Sequence, residues 1–266
     1  MKGLAAAISV ELLKARRSRV PWAIAAGFSF FPIVGGFFML ILKDPERARQ
    51  LGLLGAKAQL TAGTADWPTF VGLISQGVAI GGAMLFAFLF AWLFGREFAD
   101  RTVRDLIASP TSRSAIVIAK IAVGSVSSMA IVGWVLTLAM AIGFAIDGLV
   151  GLPGWSGDMV LHGLAGAAAA AAMTIALQSF TAFFAGVGRG YIPGLAWAVF
   201  AIFLAQILAA LGWGAWFPWS VPALVSGVAG PDAEAVSAGG VAIVAVTAFL
   251  GLMATLLWWQ RADQTG

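Results

Sequence analysis

Gly154-Trp155-Ser156-Gly157, with His162 close behind, is where this sequence comes nearest to a catalytic device, a serine nucleophile beside a histidine base. Intramembrane serine proteases that use a G-x-S-G serine take it and the histidine from two different spans, so that base and nucleophile face each other across a cleft. Here both residues fall at one end of one apolar run, next to other turn formers, and the segment reads as a turn and a helix start. His162 is the single histidine and cysteine is absent. A histidine-rich metal site, an H-E-x-x-H helix, a thiolate metal site, a disulfide framework and a cysteine nucleophile are thereby excluded. No G-x4-G-K-[ST] phosphate loop occurs, so this chain cannot cradle a nucleotide in that manner.

The remaining polar groups in apolar surroundings are few. Gln178 and Gln206 are the largest of them, and such side chains more often hold helices together than bind a ligand. No ionisable residue stands in the central part of any apolar run, which disfavours an ion-coupled secondary transporter, because protons and ions need a coordinating group at depth. Gly77-x3-Gly81 and the Gly/Ala run from Gly163 to Ala172 permit close helix approach, in a tight bundle or at a dimer seam.

What must position these groups is a set of membrane helices. Of 266 residues 61% are hydrophobic and 11% charged, far below the roughly one quarter charged that a soluble domain carries. Six runs are long enough for a bilayer core of about 30 Å: about Pro21 to Leu42, Phe70 to Phe94, Ile121 to Ile146, Met159 to Val187, Ile192 to Leu211 and Ser237 to Trp259. The expected fold is therefore an all-α integral membrane protein, a single transmembrane domain over 1–266 with no length left for a second, soluble domain. The start of the chain is charged and periodic and lacks a small-residue cleavage site, as expected of mature chain. The net charge of +4 does not point to nucleic acid, since the bases stand beside the spans and suit lipid headgroups.

Lysine and arginine orient the chain, because basic flanks are retained in the cytoplasm. Lys2, Lys14, Arg16, Arg17 and Arg19 precede the first span; Arg96, Arg101, Arg104, Arg113 and Lys120 lie between the second and third; Arg189 and Arg261 fall on the same side. These are twelve of sixteen bases. Lys43, Arg47, Arg49 and Lys57 fall on the other side, offset by Asp44, Glu46 and Asp66. Both termini are expected in the cytoplasm.

Three polar segments have structure of their own. Residues 3 to 19 place Leu4, Ile8, Leu12 and Ala15 at helical spacing, an interfacial elbow helix before Pro21. Between spans two and three the spacing predicts a charged helix through Ile107, a break at Ser109-Pro110 and a restart capped by Thr111 or Ser112. On that helix Arg96, Glu97, Asp100, Arg101, Arg104 and Asp105 surround a face made by Phe98, Thr102 or Val103, and Leu106. Spacing alone favours a solvated turn laced by pairs such as Glu97 with Arg101 and Arg101 with Asp105 over a docking helix for a partner. After span five, Trp213, Trp216, Phe217, Pro218, Trp219 and Pro222 belong to a segment too apolar for an ordinary loop and too interrupted to cross. It is expected to dip into the outer leaflet as a re-entrant segment, its tryptophans forming an aromatic belt or a gate.

Taken in order along the chain, these segments resemble the type-2 ABC exporter permeases, in particular the bacitracin- and lantibiotic-type branch of six-span subunits. The likeness lies in Glu97, Thr102, Leu106, Pro110, Arg113 and Lys120 of the second-to-third connection, in E-L-L-K-A-R-R-S at Glu11 to Ser18, in Gly188 to Tyr191 followed by Pro193, and in F-P-W-S-V-P at Phe217 to Pro222. Arg101 departs from it, standing where many members have glycine. The resemblance implies two permeases, identical or sister chains, on a dimer of cytoplasmic ATPase subunits in a bacterial plasma membrane. It implies that Arg96 to Leu106 form a coupling helix in a groove of the ATPase, that ATP and Mg are bound by that partner and no cofactor by this chain, and that the Trp-rich segment is an outer gate. Spans without charge favour an apolar or amphiphilic cargo such as a peptide antibiotic, drug or lipid. A membrane enzyme, an ion-coupled transporter and a non-transporting anchor or sensor of an ATPase are the competing readings.

Overall fold

In a computed structural model, residues 3–44, 46, 50, 52, 63–228 and 236–262 are described, and the regular elements among them are all helical. They are α1 (Leu4–Arg17), α2 (Val20–Lys43), α3 (Trp67–Ala99), α4 (Val103–Ala108), α5 (Arg113–Val150), α6 (Gly157–Val187), α7 (Tyr191–Ala210), a 3-10 turn (Gly214–Trp216), α8 (Val221–Val225) and α9 (Ala238–Arg261). Six of these, α2, α3, α5, α6, α7 and α9, are long and apolar enough to cross a membrane. Their starts are chemically marked. The Asp66 carboxylate accepts the Thr69 N–H at 2.8 Å, with Pro68 in the first turn where no N–H is needed. Ser112 caps α5 and Ser237 caps α9, each hydroxyl accepting an amide at 3.3 Å. Of the two expected caps for α5, the structure uses Ser112.

An even number of crossings brings the two ends of the chain together. Gly3 lies against Thr111, and Arg113 donates to the carbonyls of Trp259 and Ala262, both at 3.2 Å. We call this the proximal end of the bundle and the opposite one the distal end. Lys2 and the first-loop bases Arg47, Arg49 and Lys57 lie outside the described residues.

Two spans reach further than expected. α3 has 33 residues and α5 has 38, about 50 and 57 Å of helix at 1.5 Å per residue, against a core of about 30 Å. Ending a span at its first ionisable side chain placed the boundaries at Phe94 and Ile121. Both helices run on because Glu97 and Lys120 pair with each other at 2.8 Å.

α3 is the axis of the bundle and packs on α2, α5, α6 and α7. Its Phe86, Phe90 and Phe94 are fully buried, as are Phe28 of α2 and Trp259 of α9. Phe31 rests on Gly77 and Gly81, and Val71 lies over Gly163, so the small-residue stripes are seams within this bundle. Gly95 marks the closest backbone approach: a Cβ there would stand 2.6 Å from the Gly190 carbonyl carbon. The most apolar stretch of α3 is 61% buried, that of α7 and of α9 only 22%. The outer faces of α7 and α9 are therefore left for lipid or another chain.

The N-terminal helix turns a different face inward from the one expected. Ala7, Glu11 and Ala15 are buried, whereas Leu12, Leu13 and Val10 are exposed. The rotation follows from Glu11, whose carboxylate is drawn between the bases of the neighbouring helices.

Candidate functional site

At the proximal end α1, α3 and α5 bring five charged side chains into one cluster. Lys120 of α5 is 0% exposed, Glu11 2% and Glu97 3%. A buried ammonium is tolerated only when its charge and all its donors are answered. Lys120 Nζ donates to Glu97 Oε1 at 2.8 Å, to Glu11 Oε2 at 3.1 Å and to the Leu93 carbonyl at 2.8 Å. Lys14 adds contacts to Glu11 at 3.0 Å and to Glu97 at 3.2 Å. Arg96 reaches Glu97 at 3.2 Å and Glu11 at 3.5 Å, and its guanidinium lies 4.6 Å from the centre of the Trp92 ring. Three cations face two carboxylates, and the surplus charge falls at the solvent side, where Lys14 is 33% exposed. Removing one member of such a cluster strands the others in apolar surroundings. The cluster thus joins the N-terminal helix to two spans as one unit.

The expected coupling residues fall into two sets around it. Arg96 and Glu97 are part of the buried cluster and finish α3. Asp100, Arg101, Thr102, Arg104 and Asp105 are exposed, and Leu106 packs half-buried against the core. The charged helix expected to run through Ile107 is interrupted. α3 ends at Ala99, Arg101 adopts a left-handed φ of 58°, and α4 starts anew after Thr102. The Thr102 N–H donates to the Glu97 carbonyl at 2.8 Å and the Arg101 N–H to Phe98 at 3.2 Å, the paired bonds of a Schellman stop. A left-handed residue is where glycine is at ease. Arg101 thus occupies a position whose backbone would suit a glycine. The break also dissolves the expected Glu97–Arg101 spacing, and Glu97 turns to Lys120 instead.

At the distal end the segment after α7 packs back against that helix, the Trp213 N–H donating to the Leu208 carbonyl at 2.8 Å. Its six expected gate residues divide by direction. Trp213 and Trp216 are each 65% exposed. Trp219 packs inward among Phe180, Trp197 and Phe217, with ring centres 5.4 to 5.5 Å apart. Pro222 is buried, Phe217 and Pro218 are half-buried, and the buried Ser220 hydroxyl donates to the Ala205 carbonyl at 3.1 Å. Beneath Trp219, Ser220 and Pro222 lies a cavity of about 160 Å³ lined also by Thr174, Gln178, Thr181 and Gln206. Gln178 donates to the carbonyls of Ala83 at 3.3 Å and Thr174 at 3.2 Å, and accepts from Thr181 at 2.8 Å. Its polar groups are spent on the bundle, as expected. Gln206 is exposed and turns an amide to the cavity.

The protease-like segment does no such chemistry. Ser156 is the N-cap of α6, the His162 Nδ1 lies 2.7 Å from the Asp158 carbonyl, and Trp155 packs on Trp67 and Phe144. The sequence reading missed Glu11 and Lys120 as partners because 109 residues separate them. The available signal was a lone acid among the bases of α1 and a lone base opening an apolar span.

Comparison with known proteins agrees with this architecture. The family described as ABC-2 family transporter protein matches residues 7–205, which takes in most of α1, the charged cluster, the first four spans and most of the fifth. A bacitracin transport permease protein of Bacillus licheniformis, BCRB, is 27% identical over 190 residues, covering 70% of this chain and 87% of that protein. The chain is a multi-pass membrane protein and belongs to the ABC-2 family of transporter permeases.

Proposed function

We propose that this chain is the membrane subunit of an ATP-driven exporter, paired with a second permease copy or a sister chain over a dimer of cytoplasmic ABC ATPases. The proximal end is the cytoplasmic one in a bacterial plasma membrane, a reading supported by the bias of lysine and arginine. The observation that carries the reading is the charged cluster. It fastens α1 and the ends of α3 and α5 into one body directly beside the exposed Asp100, Arg101, Thr102, Arg104 and Asp105. A push on α4 by closing ATPase subunits is then passed to both long spans as a rigid-body shift. ATP and Mg belong to the ATPase, since this sequence holds no phosphate loop.

Cargo passes between the two permeases and leaves by the tryptophan-bearing distal segment. Its class is apolar or amphiphilic, in keeping with spans free of central charge. The Bacillus licheniformis relative is named for bacitracin transport, and a peptide antibiotic of that kind is the first cargo to try. The test is reconstitution with the partner ATPase and measurement of its ATP turnover across a panel of peptide antibiotics, lipids and drugs. Stimulation by one class is expected. Arg104→Glu with Asp105→Arg, both exposed in the fold, are expected to cut ATPase co-purification severalfold without altering the permease's own elution. Full association of that variant would count against α4 as the docking element.

A further inference from the structure

Between α1, α2 and α5 at the proximal end runs a groove of about 540 Å³ that the transport reading does not use. Its walls are small and apolar, with Ala15, Ala25, Ala26 and Ala130 between two indoles, Trp22 and Trp134, which are 71% and 55% exposed. Two of the polar side chains along it are hydrogen-bonded: Trp134 Nε1 donates to Ser29 at 2.8 Å, and the Ser29 hydroxyl donates to the Ala25 carbonyl at 2.7 Å. From Pro21 to Ser29 the groove follows α2 for about 12 Å at 1.5 Å per residue, close to the roughly 15 Å depth of one leaflet's hydrocarbon. At its mouth stands Arg16, exposed, with Arg17 and Arg19 beside it in sequence. Among the described residues no carboxylate pairs with any of these three. Glu11 is on the same helix, but it is buried and committed to Lys120, Lys14 and Arg96.

We propose that this groove binds one anionic phospholipid of the adjacent leaflet, an acyl chain lying between Trp22 and Trp134 and the phosphate held by Arg16. Charge complementarity selects the occupant. An unpaired guanidinium at the end of a mostly apolar slot nearly as deep as a leaflet matches a molecule that carries an anion at the end of an alkyl chain. A volume of this order lies within the roughly 300–1,000 Å³ of sites that hold a small organic molecule. Trp22 stands at the mouth beside Pro21, where indoles prefer to be, at the headgroup level, and Trp134 lies at the deep end beside Ser29. A soluble protein partner could use the arginines but has no means of filling the slot.

The test uses the full-length permease in detergent, titrated with phosphatidylglycerol or phosphatidylcholine of equal chain length and read by native mass spectrometry. One phosphatidylglycerol per chain is expected to bind about tenfold more tightly than phosphatidylcholine. Arg16→Gln should remove that preference. Ala26→Phe, which fills the slot and leaves the charge, should abolish the retained lipid. Arg261→Gln, the same change on the same side of the bundle but outside the groove, should leave binding unchanged, and monodisperse elution certifies each variant as folded. Equal retention of the two lipids, or undiminished phosphatidylglycerol binding by Ala26→Phe, would overturn the proposal. So would displacement of the lipid by inorganic phosphate alone, which would mark a bare anion site. Loss of ATPase association in Arg16→Gln with lipid binding intact would assign the arginine to the protein partner and equally overturn it.

Discussion

The two ends of the bundle stop their helices with the same backbone device but build it from different residues. At the distal end, α7 closes on Gly212 with φ 82° and α8 on Gly227 with φ 80°. At the proximal end, α3 closes on Arg101 with φ 58° and α6 on Arg189 with φ 52°. The bonds are alike, as in Trp213 to Leu208 at 2.8 Å and Gly190 to Ala185 at 3.0 Å. A left-handed conformation costs a non-glycine residue about 1–2 kcal/mol. The proximal end therefore carries a backbone cost at two exposed arginines that the distal end avoids with glycine. The same division holds in depth. The proximal cluster is ionic and buried, whereas the distal cavity is framed by aromatic stacking and neutral hydrogen bonds.

This contrast can be broken most forcefully at Lys120. Lys120→Met leaves Glu11 and Glu97 buried beside each other with only Arg96 and Lys14 to answer them, and is expected to cost about 3–5 kcal/mol. Adding Glu97→Gln should restore a good part of that, and thermal unfolding in detergent reads both. A single-variant loss that the double variant does not relieve would show that the cluster is not the unit described.

At the distal end the expected effects are smaller and uneven. Trp219→Ala opens the stack with Trp197, Phe180 and Phe217 and should cost about 2–3 kcal/mol, whereas Trp213→Ala and Trp216→Ala should stay within about 0.5 kcal/mol of wild type. If the exposed pair nevertheless abolishes cargo-stimulated ATP turnover, those indoles serve cargo passage and not folding.

The helix stops provide a third, finer test. Arg101→Gly should stabilise the chain by up to about 1 kcal/mol and Gly212→Arg should cost about 1–2 kcal/mol. A fall in ATPase association with Arg101→Gly, despite the gain in stability, would explain why the cation is kept. A pH-dependent effect is expected at Asp66, at the distal start of α3. Burial pushes this carboxyl up, but hydrogen bonds from the Thr64 hydroxyl and from the Thr69 amide and hydroxyl outweigh it and hold it below its ordinary value of 3.8. Its folded pKa is depressed, so its contribution is present above that ordinary value and is lost as pH falls through the depressed one. Asp66→Ala should cost about 1 kcal/mol at neutral pH and less in acid, measured as the shift in unfolding temperature across pH.

Much of this was legible in the chain. Runs of apolar residues marked all six spans, because a membrane core of fixed thickness demands a fixed length of helix, and Gly214, Pro218 and Pro222 marked the segment after α7 as too interrupted for another. The charged cluster was not legible. Hydropathy scores Glu97 and Lys120 as the ends of spans, and only tertiary contact reveals that each cancels the other's reason to leave the apolar phase. The stop at Arg101 escaped for a related reason: the residue that usually announces a left-handed turn is glycine, and here an arginine adopts that conformation. The inward face of α1 followed from the same omission, since amphipathic spacing places Glu11 outward unless a buried lysine calls it in.

One dimension of α3 has a mechanical meaning. The helix is a single rod that holds Glu97 in the charged cluster and, seventeen residues earlier, Ile80 in the wall of the distal cavity. That separation is about 25 Å at 1.5 Å per residue. A tilt of about 5° pivoting on Glu97 would carry Ile80 sideways by about 2 Å, more than half the diameter of a water molecule. A rigid lever anchored by salt bridges thus needs no hinge and no unwinding to resize a chamber of about 160 Å³, and the stiffness of its anchor sets how faithfully a displacement at one surface is delivered toward the other.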